Sequence, residues 1–184
     1  MRTRAVLSGG VRILQYRAKS GLVHARARAM RDLVRAAGAL FILNDDVEAA
    51  LWIDADGVHV GPQDSAWKEL SWVRERLGDR LLGLSCGSVA EAQFAQKSGA
   101  DYIGVGSCFA TLSKLDAGVP IGLDGLRAVV AATSLPVAAI GGITVRNITE
   151  VASCGVAMAA VISALSGEDA ATAARELVRL WNLH

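Results

Sequence analysis

Aromatic residues make up only 5% of this 184-residue chain, and there are three prolines and three cysteines. A core built without rings must be filled by Ala, Val, Leu and Ile. At 52% apolar content, that is the composition of parallel sheets buried on both faces. Cys86, Cys108 and Cys154 are odd in number, far apart and flanked by small or apolar residues, which excludes a disulfide framework and a zinc site and points to a reducing cytoplasm. Nineteen basic against eighteen acidic residues leave a formal charge of +1, so there is no general attraction to nucleic acid or anionic lipid and any anion site must be local. No apolar run approaches the roughly 18 residues of a membrane span, and Met1-Arg2-Thr3-Arg4 opens no secretory leader. Asn147-Ile148-Thr149 is then a chance match to the glycosylation pattern. The length suits one domain over residues 1–184, able to bury about two-thirds of its unfolded surface.

What is present is alternation. Apolar runs of strand length occur at residues 12–17, 40–45, 57–61, 81–86, 101–106, 137–142 and 159–163. Between and after them, helical spacing runs over 22–37, 46–53, 66–77, 89–97, 123–132, 145–153 and 169–181, and residues 1–10 read as the end of a helix. Strict alternation predicts a parallel sheet with right-handed crossovers, either doubly wound or closed as a barrel. Two features favour the barrel. Ala55-Asp56-Gly57-Val58-His59-Val60-Gly61 is echoed by Gly99-Ala100-Asp101-Tyr102-Ile103-Gly104-Val105-Gly106, with a blurred copy at Cys154–Met158, a repeat suited to regular βα units. Six of the seven strand ends also carry polar residues or glycine turns, whereas a doubly wound sheet concentrates its chemistry at one switch point. The expectation is a TIM-type (β/α) barrel with seven visible strands, the first strand and most of the first helix lacking.

The organising stretch is Phe109-Ala110-Thr111-Leu112-Ser113-Lys114, a loop with two hydroxyls and a lysine behind Gly104-Val105-Gly106, suited to phosphate oxygens. Gln15, Arg17 and Lys19 alternate at a strand end, so their side chains point to one side, which in a barrel can be the mouth. Asn44-Asp45 and Gln63-Asp64 bring two carboxylates to neighbouring strand ends, a pair that suits magnesium completed by phosphate and water. For Asp45 taken alone, a helix N-cap is the simpler role. His59 reads as a satisfied interior histidine rather than a base, and Ser85 as a hydroxyl for a ligand ring, without a nucleophile's companions. Gly141-Gly142 and Val161-Ile162-Ser163 match the phosphate site that barrels build after their last two strands. Trp52, Trp67, Trp72 and Trp181 fit outer-helix packing, and no interleaved basic and aromatic surface suggests nucleic acid.

As an ordered set, Gln15–Lys19, Phe41–Asp45, Ala55–Gly61 with Gln63-Asp64, Gly83–Ser85, Gly104–Gly106 with Thr111–Lys114, Ala139–Ile143 and Val161–Ser163 resemble the thiamine-phosphate synthase family. The resemblance implies joining 4-amino-2-methyl-5-hydroxymethylpyrimidine diphosphate to a thiazole phosphate with release of pyrophosphate. It implies that Gln15, Arg17, Lys19, Asn44, Ser85 and Lys114 hold the pyrimidine diphosphate, within a Gln15-Tyr16-Arg17-Ala18-Lys19 segment. Asp45 and Asp64 would bind magnesium, and Thr111, Leu112, Ser113, Gly142, Ile162 and Ser163 would hold the thiazole phosphate. Arg17, Lys19 and Lys114 would stabilise the departing anion. The chain departs from the family at Gly87, where a histidine is usual, and at Ser107 and Ala110, which replace prolines of the phosphate loop. The related thiazole tautomerases share the fold but rely on the histidine that Gly87 replaces; a non-catalytic, truncated barrel that only binds thiazole or thiamine phosphate is the third reading. With a strand lacking, self-association would cover exposed sheet edges.

Overall fold

The computed structural model describes residues 2–18, 21–113 and 118–183. All seven expected strands form, with trimmed ends: β1 (Ile13–Tyr16), β2 (Leu40–Asn44), β3 (Gly57–Val60), β4 (Leu81–Cys86), β5 (Tyr102–Val105), β6 (Val137–Ile140) and β7 (Met158–Ala160). They make one parallel sheet in chain order, β1 to β7. The helices are α1 (Arg2–Ser8), α2 (His24–Ala36), α3 (Val47–Trp52), α4 (Leu70–Leu77), α5 (Val89–Lys97), α6 (Gly122–Ala131), α7 (Ile148–Ala152) and α8 (Ala170–Trp181). A 3₁₀ turn, Ser65–Glu69, leads into α4, so the helix expected from residue 66 begins four residues later; another, Ser163–Leu165, follows β7.

The internal repeat has a physical cause. Asp56 precedes β3, and its carboxylate accepts from the N–H of Phe41 in β2 at 2.8 Å, while its own N–H donates to the Phe41 carbonyl at 3.0 Å. Asp101 does the same one unit on, accepting from Leu82 N–H at 2.7 Å and donating to Leu82 O at 2.8 Å. Each aspartate fastens the start of its strand to the preceding neighbour, satisfying backbone groups that a sheet cannot leave unpaired. In the third copy Ala157 keeps only the backbone half, donating to Val137 O at 3.0 Å.

Alternation along the strands sorts the side chains. Phe41, Leu43, Val58, Val60, Leu82, Leu84, Ile103, Val105 and Ala139 are buried in the main core with helix residues such as Val34, Val73, Leu77, Ala92, Leu126 and Val151. The intervening positions face the barrel interior. At its base, Ile13, Leu40, Ile42, Leu81, Tyr102, Pro136 and Met158 surround an apolar cavity of about 200 Å³. Among the described residues β1 and β7 do not pair, so the sheet is open there. The helical layer is closed across that opening: α1 packs on α8 around Val6, Ala170 and Ala174. The approach is close enough that a Cβ on Gly9 would lie 2.4 Å from that of Ala174.

Candidate active site

Interior-facing positions near the C-terminal ends of the strands bring most of the expected residues together. Gln15 follows Ile13 on the interior face of β1, and Arg17 stands one residue past its end, near Asp45. Tyr16 points the other way, its ring 6.5 Å from that of Phe41 on the core side, and Ala18 shares that alternation. Lys19 and Lys114 lie outside the described residues.

Asn44 lies beside His59 in the ladder between β2 and β3. Asp45 follows in a left-handed conformation, φ 70°, held by its N–H to the His59 carbonyl at 2.9 Å. Its carboxylate accepts from the Asn44 side-chain amide and lies 3.9 Å from the Arg17 Nε. The cap of α3 belongs to the next residue: Asp46 Oδ1 accepts from Ala49 N–H at 2.9 Å. The simpler role foreseen for Asp45 is therefore filled by its neighbour.

Asp64 is tied to the end of β3, accepting on Oδ2 from the Gly61 N–H at 2.6 Å. A Cβ on Gly61 would stand 3.2 Å from that oxygen and 3.6 Å from Ser85 Oγ, so Asp64, Gly61 and Ser85 are neighbours. Asp45 and Asp64 are thus both fastened to the end of β3. Among the described residues no group of three or more His, Cys, Asp or Glu gathers into a metal cage.

His59 is nine-tenths buried, and both ring nitrogens are engaged, Nδ1 with the Tyr102 hydroxyl and Nε2 with Ser85 Oγ, each at 3.0 Å. Burial lowers its pKa to about 4, against a smaller opposing pull from Asp64, so the ring is neutral at physiological pH. Its reading as a satisfied interior histidine holds. Tyr102 carries no functional signal in the sequence, where it is one more residue of an apolar strand.

The loops after β5 and β6 are sewn backbone to backbone. Cys108 N–H donates to Ile140 O at 2.8 Å and Phe109 N–H to Gly141 O at 3.0 Å. Gly141 and Gly142 have φ of 100° and 66°, and a Cβ on Gly142 would lie 2.7 Å from Ala110 O and Phe109 Cβ. Ser107, one of the two proline replacements, stiffens the loop by donating to Phe109 O at 2.7 Å. Thr111 Oγ1 accepts from Ser113 N–H at 3.2 Å, closing a turn that leaves Leu112 almost fully exposed. Asn147, the chance glycosylation match, clamps the other loop: its amide donates to Gly142 O at 3.1 Å and accepts from Thr144 N–H at 2.8 Å. β7 stops at Ala160, so Ile162 and Ser163 stand beyond it as exposed residues where the 3₁₀ turn begins.

The remaining candidates are inert or structural. Burial pushes the Cys86 thiol up to about 12 and raises Cys108 and Cys154, so no thiolate is available. A cavity of about 620 Å³ lies at the opposite end of the strands, lined by residues such as Arg35, Asp54, Arg76 and Arg80. There Asp54 pairs with Arg31, Arg35 and Arg80, an ion-pair network at the face where barrels secure stability rather than chemistry. Trp67 and Trp181 pack on the core as expected, whereas Trp52 and Trp72 are exposed, Trp52 with the Arg28 guanidinium 4.2 Å above its ring.

A profile of the thiamine monophosphate synthase family matches residues 1–165. The chain is 45% identical over 182 residues to the thiamine-phosphate synthase of Chloroflexus aurantiacus, a match spanning 95% of this chain and 81% of that protein. It is 46% identical over 181 residues to that of Moorella thermoacetica, spanning 95% and 84%. The solved thiamine phosphate pyrophosphorylase from Pyrococcus furiosus superposes with a TM-score of 0.91 at 40% identity, covering 99% of this chain and 88% of that one. With this agreement in sequence and in strand arrangement, the chain belongs to the thiamine monophosphate synthase family.

Proposed function

We propose that the chain joins 4-amino-2-methyl-5-hydroxymethylpyrimidine diphosphate to a thiazole phosphate, giving thiamine phosphate and pyrophosphate. The observation that carries the reading is the meeting of Arg17, Asn44, Asp45, Asp64 and Ser85 around the end of β3, next to two loops fastened by Gly141 and Gly142. The C–O bond of the pyrimidine methylene breaks with its electron pair leaving on pyrophosphate, and the thiazole nitrogen supplies the pair for the new C–N bond. Arg17, Lys19 and Lys114 meet the departing anion, where fixed positive charge is worth most. Gln15, Asn44 and Ser85 hold the pyrimidine half. Thr111, Leu112, Ser113, Gly142, Ile162 and Ser163 hold the thiazole phosphate. No protein base is required, which agrees with a neutral, fully engaged His59 and with thiols raised by burial.

Asp45 and Asp64 are the residues that would hold magnesium. Two carboxylates, each with an oxygen already engaged, Asp64 by Gly61 N–H and Asp45 by the Asn44 amide, suit an ion whose shell is completed by diphosphate and water. When bound, the ion would neutralise charge on the leaving pyrophosphate. The reaction would run in a reducing cytoplasm, a placement supported by three buried free cysteines. A second copy of the chain would cover the edges of β1 and β7, which do not pair with each other among the described residues. Sedimentation velocity reads this directly, and a monomer at every concentration would remove it.

Release of pyrophosphate with both substrates, against either alone, tests the activity. Conversion of the thiazole without pyrophosphate would favour the tautomerase, and binding without any product the non-catalytic barrel.

A further inference from the structure

Three hydroxyl or imidazole groups meet across β3, β4 and β5. The Tyr102 hydroxyl and Ser85 Oγ each lie 3.0 Å from a different nitrogen of His59. Two glycines open the space for them. A Cβ on Gly83 would fall 2.2 Å from Tyr102 Cζ and 2.5 Å from His59 Nδ1, and one on Gly104 would fall 3.0 Å from His59 Cε1. These two positions lie beside His59, Tyr102 and Ser85 in the strand ladders.

We propose that Tyr102 and His59 are positioning residues that fix Ser85 as a hydrogen-bond donor, so that this hydroxyl reads a ring nitrogen of the pyrimidine and not its amino group. The inference rests on the reading above that Ser85 touches the pyrimidine.

The argument is a count of hydrogens. A neutral imidazole carries one N–H, so the trio holds three polar hydrogens for two contacts, and one hydrogen is left over. If Nδ1 carried the proton, it would donate to the Tyr102 oxygen, and Ser85 would donate to Nε2. The hydrogen left over would then belong to the phenol, inside the barrel, with no acceptor among the described residues. If Nε2 carries it, Tyr102 donates to Nδ1, Nε2–H donates to Ser85 Oγ, and the spare hydrogen is the serine's own, at the site. A donor held inside the barrel against Gly83 and His59, with no acceptor in reach among the described residues, is costlier than a free hydroxyl hydrogen at the ligand site, so the second holds. Tyr102 cannot escape by ionising, because burial pushes its phenol up, and His59, nine-tenths buried with a hydroxyl rather than a carboxylate at each ring nitrogen, has no counter-charge in contact for a second ring proton. Ser85 Oγ already accepts from Nε2–H, and its own O–H is the one hydrogen of the trio left without a partner. The ligand contact that satisfies it is to an acceptor.

Nitrogen-15 NMR of the histidine rings in the substrate-free protein tests the proton placement, with His59→Gln assigning the signal. Protonated Nε2 with bare Nδ1 is expected, and protonated Nδ1 overturns the proposal. The kinetic arm uses Tyr102→Phe, Ser85→Ala and the double variant. Tyr102→Phe should raise KM for the pyrimidine diphosphate about tenfold, the worth of one hydrogen bond. Its kcat and its KM for the thiazole phosphate should stay within about twofold, since what is lost is ground-state binding. In the Ser85→Ala background the same change should have no further effect on that KM. A tyrosine effect that persists without the serine would show a merely structural role and overturn the proposal. If the unaltered chain neither binds pyrimidine diphosphate by calorimetry nor releases pyrophosphate, the functional reading fails and takes the ligand half of the proposal with it. The tautomer would still decide the proton placement.

Discussion

The N–H of Gly61 donates to the Asp64 carboxylate across 2.6 Å, so the acid at the end of β3 is aimed by the strand it follows. Asparagine keeps an acceptor oxygen for that N–H and loses the charge, which makes Asp64→Asn a clean test of the metal assignment. If the proposed metal role is right, synthesis with magnesium present should fall at least about 100-fold and binding of the thiazole phosphate should change less than about twofold, because in that role the carboxylate serves only the diphosphate half. Asp45→Asn should do the same. Calorimetry with each substrate separately is the measurement, and equal loss of both binding events would sink the assignment.

The strands were legible because runs such as Gly57–Val60 and Val137–Ile140 are short, apolar and set between glycine or aspartate turns, and alternation placed Gln15 and Arg17 on one side. The repeat around Asp56 and Asp101 signalled regular units, although its cause, a carboxylate pinning the neighbouring strand, needed coordinates. Contacts between distant segments left no local trace. Tyr102 meets His59 across an intervening strand, with the room supplied by Gly83, and no period in the sequence links the three. Asp45 and Asp46 are equally good caps on paper; only backbone direction decides between them. The apolar run predicts strand through Ser163, yet the ladder ends at Ala160 and Ser163 opens a 3₁₀ turn, in keeping with the short helix expected after the last strand.

Gly142 tests the phosphate loops. Its φ of 66° and the 2.7 Å approach to Ala110 O leave no room for a side chain. Gly142→Ala should push the loop after β5 outward, raising KM for the thiazole phosphate about tenfold or more. Stability should fall by about 1–3 kcal/mol. Gly167→Ala is the comparison, since nothing lies within 4 Å of its Cβ position. Equal kinetics in the two variants would remove Gly142 from the site.

His59 predicts how stability depends on pH. Its pKa of about 4 in the folded chain lies below its ordinary 6.5, so between these values the unfolded chain binds the extra proton. Stability from this residue is complete above about pH 6.5, falls as pH drops toward 4, and then levels, a total of up to about 3 kcal/mol. Urea unfolding at several pH values should show His59→Gln with a smaller loss over that window, the carboxylates contributing alike to both proteins. Parallel curves would mean that the ring titrates normally.

The opening between β1 and β7 makes the α1–α8 contact decisive for the first strand. Gly9 approaches Ala174 so closely that an added methyl would lie 2.4 Å from its Cβ and 2.9 Å from Ala171 O. Gly9 has no left-handed backbone to preserve, so Gly9→Ala changes packing alone. It should cost about 1–3 kcal/mol in urea unfolding, because overfilled contacts force neighbours to move. Removing the opposing methyl with Ala174→Gly weakens α8 by about 1 kcal/mol on its own. Combined with Gly9→Ala it should cost less than the sum by at least about 0.5 kcal/mol, the mark of two groups in contact. Strict additivity would show that α1 and α8 do not meet in solution. α1 runs directly into β1, with Val11 N–H bonded to Val6 O at 3.3 Å, so a displaced α1 carries Gln15 and Arg17 with it. Gly9→Ala should therefore also raise KM for the pyrimidine diphosphate while leaving that for the thiazole phosphate unchanged, since the residues proposed for the thiazole phosphate lie in the loops after β5, β6 and β7.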